Sequence, residues 1–132
     1  MTGWTDSLGD PSGILAVFDG EPPELNQVSV HELTIGRDGP SVTVTFDLPS
    51  YPPEPPAKWA RSGADTVQVQ LRFFGVTELE LQGISVDPVV DIVVGGRDPV
   101  RVEIRSPDLT LTASAGFADV ARISAYQRGD TR

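Results

Sequence analysis

The segment VTVTFDL, residues 42–48, alternates apolar and polar side chains along its whole length. Successive side chains of a β-strand point to opposite faces of the sheet, so residues two apart share a face. The segment therefore predicts a strand with one dry face and one wet face. The dry face would carry the two valines, Phe46 and Leu48, and the wet face would carry the threonines and Asp47. Such one-sided strands are typical of antiparallel sheets.

The same period recurs on both sides of this segment. Residues 67–73, 100–105 and 109–114 alternate in the same way, and they are rich in valine and threonine, which pleated surfaces favour. Turn-forming residues separate these segments, with a clear hairpin signal at 37–40. Short strands punctuated by turns predict an all-β fold, mainly an antiparallel sandwich or open barrel, in one domain spanning residues 1–132.

Two stretches depart from regular alternation. The apolar residues of 28–30 and of 33–35 are one position out of phase, which predicts a β-bulge near His31-Glu32. The C-terminal run GFADVARISAYQ, residues 116–127, is ambiguous. We interpret it as a strand because every second residue from 121 to 125 is apolar.

One short helix is predicted near the N-terminus. Asp10 is a suitable N-cap, Pro11 suits the first helical position, and residues 14–18 supply an apolar face. Asp19-Gly20 would then end the helix. The complete fold prediction is an all-β domain with this single short helix.

The composition is that of an ordinary globular protein. Apolar residues make up 39 % of the chain, which is too many for a disordered protein. The longest apolar run, residues 14–18, is too short to cross a membrane, and the first ten residues lack the features of a signal peptide. The chain has no cysteine, which excludes disulfides and thiolate chemistry. We therefore expect a protein of the reducing cytoplasm, without a membrane partner.

Negative charge is concentrated in the first half of the chain. The net charge is −9, and residues 1–60 carry nine acids and two bases. Nucleic acid is an unsuitable partner, because phosphate binding requires clustered lysine and arginine. The acidity can serve solubility alone, or it can form a face that attracts a basic protein. For the second alternative, the predicted partner-binding residues are Asp19, Glu21 and Glu24, which flank a proline-stiffened turn.

Residue patterns typical of catalysis are incomplete. The run HELTI, residues 31–35, begins like a zinc-protease motif, but an isoleucine replaces the second histidine and the stretch is predicted as a strand. His31 is the one histidine of the chain. It has no nucleophile elbow near it in sequence, so we interpret it as a surface or bulge histidine.

Other polar groups also lack the context of a reactive site. The acids at 87, 91 and 98 do not have the spacing of a calcium loop, and Gly95-Gly96 lacks the context of a nucleotide site. Glu78 and Glu80 share one strand face and could resemble a glycosidase pair, but on a wet strand such residues more often pair with arginine across the sheet. We therefore predict no enzyme: no catalytic residue, no metal site and no cofactor.

The proline-rich segment YPPEPPAKWARSG, residues 51–63, contains Trp59. Its prolines have the spacing of a ligand for an SH3-type groove, but the segment is held between two predicted strands. A loop of this kind commonly folds back over the core. We therefore predict that Trp59 packs against the domain rather than serving a partner.

Several short segments together point to a known family. They are Trp4, Ile14-Leu15, FDGEPP at 18–23, RDGP at 37–40 with the VTV that follows it, PAKW at 56–59, TVQVQLRF at 66–73, Gly83 and Tyr126. In these segments the chain resembles the bacterial immunity protein 50 family, which is associated with polymorphic toxin systems. The resemblance covers most of the chain.

The resemblance implies a cytoplasmic protein that binds and blocks a cognate toxin domain, without a cofactor. The toxin is expected to be basic, since an acidic inhibitor can occupy a cleft built for phosphate. The family supplies no catalytic or binding residue that can be mapped onto this chain.

Two other functions stay open. A non-catalytic β-sandwich that binds a small ligand would need a concave site with aromatic side chains, and the chain has only nine aromatic residues. A structural subunit of a larger assembly would need an exposed apolar stripe, and none is evident in the sequence.

Overall fold

The computed structural model describes residues 3–128, so both ends of the predicted 1–132 domain lie outside the described residues. The described chain is mostly antiparallel β-sheet, which confirms the predicted all-β class. A 3-10 helix covers Trp4–Ser7, and the other elements are α1 (Ser12–Val17), β1 (Val28–Gly36), β2 (Ser41–Asp47), α2 (Ala57–Ser62), β3 (Thr66–Phe74), β4 (Glu78–Gly83), β5 (Val89–Gly95), β6 (Val100–Arg105), β7 (Leu109–Ala115) and β8 (Phe117–Tyr126).

The eight strands form one sheet in the order β4-β7-β6-β5-β1-β2-β3-β8. It consists of two four-stranded parts: a first half-sheet, β1-β2-β3-β8, and a second half-sheet, β4-β7-β6-β5. The two parts meet where the beginnings of β1 and β5 pair, at Val28 with Val90 and Ser29 with Val89. This junction is only two residue pairs long, so it can act as a bend between the half-sheets.

A second connection joins the half-sheets at Gly75 and Gly116. The β3–β8 ladder ends there and continues as the β4–β7 ladder. The Gly116 N–H donates to the Phe74 carbonyl at 2.9 Å, so the ladder stays hydrogen-bonded through the bend. Gly75 has a φ of +65°, a conformation that a residue with a Cβ rarely adopts. Strands that bend in this way can pass from one sheet layer to the other.

One hydrophobic core contains side chains from both half-sheets. Phe46, Val69 and Phe73 from the first half-sheet are fully buried, and Ile104 and Leu111 from the second are nearly so. The two described α-helices have only six residues each. Helices this short cover little of the sheet, so most of the core comes from side chains of the two half-sheets.

Strand β2 is buried on both faces, which differs from the predicted wet face. Thr43, Thr45 and Asp47 are all less than a tenth exposed. β2 is a central strand, flanked by β1 and β3 along its whole length, and long polar side chains of its neighbours lie over it. The Arg72 Nε, for example, donates to the Thr43 hydroxyl at 3.0 Å.

The predicted irregularities of the strands are confirmed. In the β1–β2 ladder, Val30 pairs with Phe46 and Glu32 with Thr45, which leaves His31 as the extra residue of a bulge. The ambiguous C-terminal run forms β8 and pairs with β3.

The N-terminal helix is present as α1. Asp10 accepts hydrogen bonds from both the backbone N–H and the hydroxyl of Ser12, at 3.1 and 2.7 Å. These bonds lower the pKa of the Asp10 carboxyl. Pro11, rather than Asp10, stands at the N-cap position, one residue later than predicted.

A second helix, α2, replaces part of the predicted proline-rich loop. The four prolines of the segment all precede Ala57, so the six residues that follow them are free to form a helical turn, which ends at Gly63. Trp59 on this helix is half-buried and packs against the core. Its ring centroid lies 6.4 Å from that of Tyr51. The predicted packing of Trp59 is therefore confirmed.

We expect Trp59→Ala to lower the free energy of unfolding by less than the about 3–5 kcal/mol typical of a fully buried large aromatic, because part of the ring faces solvent. Trp59→Phe should keep most of the stability that the alanine variant loses, since a phenyl ring can still pack beside Tyr51. Urea unfolding of the three proteins measures the difference. An alanine variant that unfolds like the parent would contradict the packing role.

Candidate functional site

The three predicted partner-binding carboxylates lie in the segment between α1 and β1. Asp19, Glu21 and Glu24 are all exposed. The segment is held from both sides, because the Gly20 N–H donates to the Leu15 carbonyl at 2.7 Å and the Trp4 indole N–H donates to the Pro23 carbonyl at 2.8 Å. We call residues 19–24 the acidic turn. Its carboxylates are thus displayed on a restrained backbone.

The charges of the acidic turn are not neutralised locally. Within residues 3–128, no lysine, arginine or histidine lies within ion-pair distance of its three carboxylates. One weak interaction is present, in which the Asn26 amide donates to Glu24 at 3.5 Å. The acidic turn therefore offers negative charge that a basic partner could use.

A second cluster, which the sequence did not predict, surrounds the carboxylate of Asp47. Its side chain is only 1 % exposed. The His31 Nε2 lies 2.7 Å from Oδ2, the Gln68 amide donates to Oδ1 at 3.3 Å, and the Tyr126 hydroxyl donates to Oδ2. Arg128 contributes a guanidinium nitrogen 3.8 Å from Oδ2. We call these five residues the Asp47 cluster.

The strand register explains why these residues meet. Gln68 is the direct partner of Asp47 in the β2–β3 ladder. Tyr126 pairs with Thr66, two residues from Gln68, and so lies on the same face. The bulge turns His31 out of the regular alternation of β1 and towards Asp47. The sequence predicted the bulge, but it contains no local signal for the pairing partner of the histidine.

The donors of the Asp47 cluster compensate for the burial of a carboxylate. A buried charge is costly unless it is paired and hydrogen-bonded, and here both carboxylate oxygens have partners. The same contacts raise the pKa of the Tyr126 phenol. Burial and the hydrogen bond to Asp47 raise the pKa of Tyr126 to about 12, and the carboxylate charge adds to this effect.

In the His31–Asp47 pair a carboxylate orients an imidazole, as in two members of a catalytic triad, but no nucleophile among residues 3–128 lies beside the imidazole. A triad also needs a hydroxyl or thiol within hydrogen-bond reach of the imidazole. In the described part of the chain, no serine, threonine or cysteine hydrogen-bonds to the His31 ring. The ring is 44 % exposed. The geometry supports a structural role, in which His31 ties the bulge of β1 to the end of β2.

The remaining predicted polar residues do not converge. Between residues 3 and 128, no three His, Asp, Glu or Cys side chains come together as a possible metal site. Asp91 accepts a hydrogen bond from the Gln27 backbone at 2.9 Å. Glu78 and Glu80 face Ser114 and Thr112 across the β4–β7 ladder. They form no ion pair within the described chain, so their predicted pairing with arginine is wrong.

Two hollows are candidates for a small ligand. The larger, of about 850 Å³, runs over the second half-sheet between Glu80 and Val93, and none of its lining residues is aromatic. The smaller, of about 510 Å³, lies beside the 3-10 helix and includes Trp4 and Arg97 among its lining residues. The Arg97 guanidinium is already engaged there, because it donates to the Asp6 carbonyl at 2.9 Å.

In the part of the chain that the structure describes, no helix has both the length and the apolar character needed to cross a membrane.

The phenol of Tyr126 gives a prediction on pH. Its pKa of about 12 in the folded protein lies above the value of about 10 for an unperturbed tyrosine. The contribution of Tyr126 to stability is therefore complete below pH of about 10 and is lost as the pH rises from about 10 to about 12. Tyr126→Phe should remove this decline in stability between pH of about 10 and about 12.

The measurement is the ultraviolet absorbance of tyrosinate as the pH is raised, together with urea unfolding in the same range. The phenylalanine variant should lose a tyrosine transition that lies above pH of about 10. The prediction would be contradicted if the transition missing from the variant lay near pH of about 10.

A comparison with protein-family models places the chain in a family. A family model described as immunity protein 50 matches residues 10–126. No curated protein and no solved structure matches the chain. The matched residues include both the acidic turn and the whole Asp47 cluster except Arg128. The match covers most of the chain, and the chain therefore belongs to the immunity protein 50 family.

Proposed function

We propose that this chain is a toxin-neutralising immunity protein that binds and blocks a cognate bacterial toxin domain. It acts in the cytoplasm of the producing cell, as one β domain over residues 1–132, without catalysis and without a cofactor. Membership of the immunity protein 50 family supports toxin immunity in general. The identity of the toxin and its basic character are part of the proposal.

The observation that carries the proposal is the acidic turn in a chain of this family. Asp19, Glu21 and Glu24 are exposed and without a cation within ion-pair distance among residues 3–128. The turn is attached to a rigid scaffold through Trp4 and Leu15. Exposed charge on a restrained backbone supports rapid encounter with an oppositely charged partner, because little ordering is needed on binding.

Blocking by such a protein requires only complementary surfaces. A toxin that acts on nucleic acid must present a positive cleft to phosphate, and an acidic protein seated there excludes the substrate. The inhibitor then contributes shape and charge rather than a reactive group. This agrees with the Asp47 cluster, whose histidine serves structure.

Binding of a small ligand is the second candidate function. The larger hollow has the size of a ligand pocket, since about 300–1,000 Å³ is usual. Its lining combines aliphatic side chains such as Leu79 and Val93 with charged groups such as Arg101, and among the described residues it contains no aromatic side chain. The lack of an aromatic platform makes this function the weaker candidate.

The first test identifies the gene immediately upstream of the one for this chain and co-expresses the domain it encodes as the candidate toxin. We expect growth to be rescued by the parent chain, and the two proteins to purify as a complex. A ligand-binding module would give neither result. Failure of rescue, with both proteins expressed and soluble, would contradict the proposal.

The second test measures association with that toxin domain as a function of salt. Glu21→Lys with Glu24→Lys should lower the association rate by about tenfold at low ionic strength and change the dissociation rate less, because exposed charges act mainly on encounter. Asp19 is better changed to Asn, since its φ of +56° is a conformation that Asn tolerates.

The matched control is Asp38→Lys with Glu54→Lys, which makes the same change in net charge at two exposed positions elsewhere. It should lower the association rate only slightly. Equal effects of the two pairs would mean that net charge alone matters. An association rate that does not vary with ionic strength would contradict attraction by the acidic turn.

A further inference from the structure

Of the two edge strands of the sheet, one is covered by another segment of the described chain and the other is not. At the β8 edge, the Gly9 N–H donates to the Ala118 carbonyl at 2.9 Å, and Gly13 of α1 lies against Ile123. The β8 edge is therefore covered by the N-terminal segment. At the other edge, β4 pairs with β7 on one side, and no strand of residues 3–128 pairs with its other side.

The exposed edge of β4 has few of the usual defences against a further strand. Natural edges are commonly blocked by proline, by charged side chains, lysine above all, or by a bulge. β4 contains neither proline nor lysine, and its six residue pairs with β7 run without a register shift. Five of its six residues are exposed. Its outer backbone groups are thus available for pairing.

An apolar loop follows this edge directly. Ile84 is 88 % exposed and Val86 is 105 % exposed, the two highest values among the large apolar side chains of the described chain. Leu81, on β4 itself, is also exposed. Three exposed apolar side chains within six residues of one another are a candidate binding surface.

The apolar loop is held in place at both ends. Gly83 has a φ of +85°, and a Cβ there would lie 2.0 Å from the Asp108 carbonyl oxygen, so the chain passes close against the β6–β7 turn. The Pro88 carbonyl accepts a hydrogen bond from the Val30 N–H at 3.0 Å. Within the loop, the Ser85 hydroxyl accepts one from the Asp87 N–H at 3.3 Å. Ile84 and Val86 are therefore displayed on a restrained turn.

The charge on β4 selects the partner. Glu78 and Glu80 are exposed and have no cation within ion-pair distance in the described chain. A second copy is a poor occupant, because each copy carries a net charge of −9 and the pairing centred on Glu80 would place like charges directly opposite each other, which is destabilising. The same carboxylates would stabilise a strand that carries lysine or arginine.

We infer that the edge of β4 and the apolar loop 84–86 form the docking surface for the toxin domain. A basic, extended segment of the toxin pairs with β4 as an additional strand, and Ile84 and Val86 enter an apolar hollow beside it. This inference rests on the proposed function. Strand addition of this kind uses backbone hydrogen bonds for affinity and side chains for specificity.

The docking surface and the acidic turn have different tasks. Both adjoin the junction of the half-sheets, because the Leu25 carbonyl accepts from the Ile92 N–H at 2.8 Å while Pro88 bonds to Val30. The acidic turn attracts the toxin from a distance and acts on the association rate. The apolar contacts and the strand pairing hold the complex, so changes in them act mainly on the dissociation rate.

Two pairs of substitutions test the inference with the candidate toxin domain of the co-expression test. Ile84→Asp with Val86→Asp, and separately Glu78→Lys with Glu80→Lys, should each raise Kd by about tenfold or more through faster dissociation. The four side chains are exposed, so melting temperatures should stay near that of the parent. Ile35→Asp, at another exposed apolar position, and Asp38→Lys with Glu54→Lys are the controls and should bind like the parent.

Hydrogen exchange on the complex tests strand pairing itself. Amides of residues 78–83 should exchange more slowly when the toxin is bound, because their outer N–H groups gain partners. Protection confined to residues 18–27, or parent-like affinity of the two variant pairs, would overturn the inference while leaving toxin neutralisation intact. If the parent chain neither binds nor neutralises the toxin, the proposed function fails and this inference fails with it.

Discussion

The bend at Gly75 and Gly116 is the constraint on which the rest of the structure depends. Two strands, β3 and β8, leave the first half-sheet there and continue as β4 and β7 of the second. A Cβ on Gly75 would contact the Gly116 backbone at 3.6 Å, and its φ is positive. Because the ladder stays paired through the bend, the two half-sheets are placed over one core without a long connection.

The same bend decides what each edge of the sheet can do. It carries β8 to the side where the N-terminal segment lies, and Gly9 covers that edge by a backbone hydrogen bond. It carries β4 to the opposite edge of the sheet, next to the apolar loop 84–86. An edge that is open, acidic and bordered by exposed apolar side chains is suited to a partner of opposite charge.

The Asp47 cluster is the polar counterpart of the hydrophobic core. It brings together His31 from β1, Gln68 from β3 and Tyr126 from β8 around one carboxylate of β2. All four strands of the first half-sheet are therefore linked on the face that the core does not reach. A rigid half-sheet supports the proposed function, because a preformed surface loses less conformational entropy on binding.

Much of the fold could be predicted from the sequence because its signals are local. Alternation along one strand depends only on the backbone geometry of that strand, so β2, β3, β6, β7 and the C-terminal β8 were found in this way. The bulge at His31 was found by a change of phase between neighbouring residues. Helix α2 was missed because the prolines that suggest a loop all stand before it.

The candidate sites likewise include features that the sequence predicts and features that only tertiary contacts decide. The sequence alone identified an acidic first half and the exposed turn of Asp19, Glu21 and Glu24, because charge and turn residues are visible without a partner. Tertiary structure decided that Asp47 is buried among three donors, that Glu78 and Glu80 have no arginine, and that β4 rather than β8 is the open edge. These features depend on which strands pair and which segment covers them, and such contacts join residues far apart in the chain that no local pattern connects.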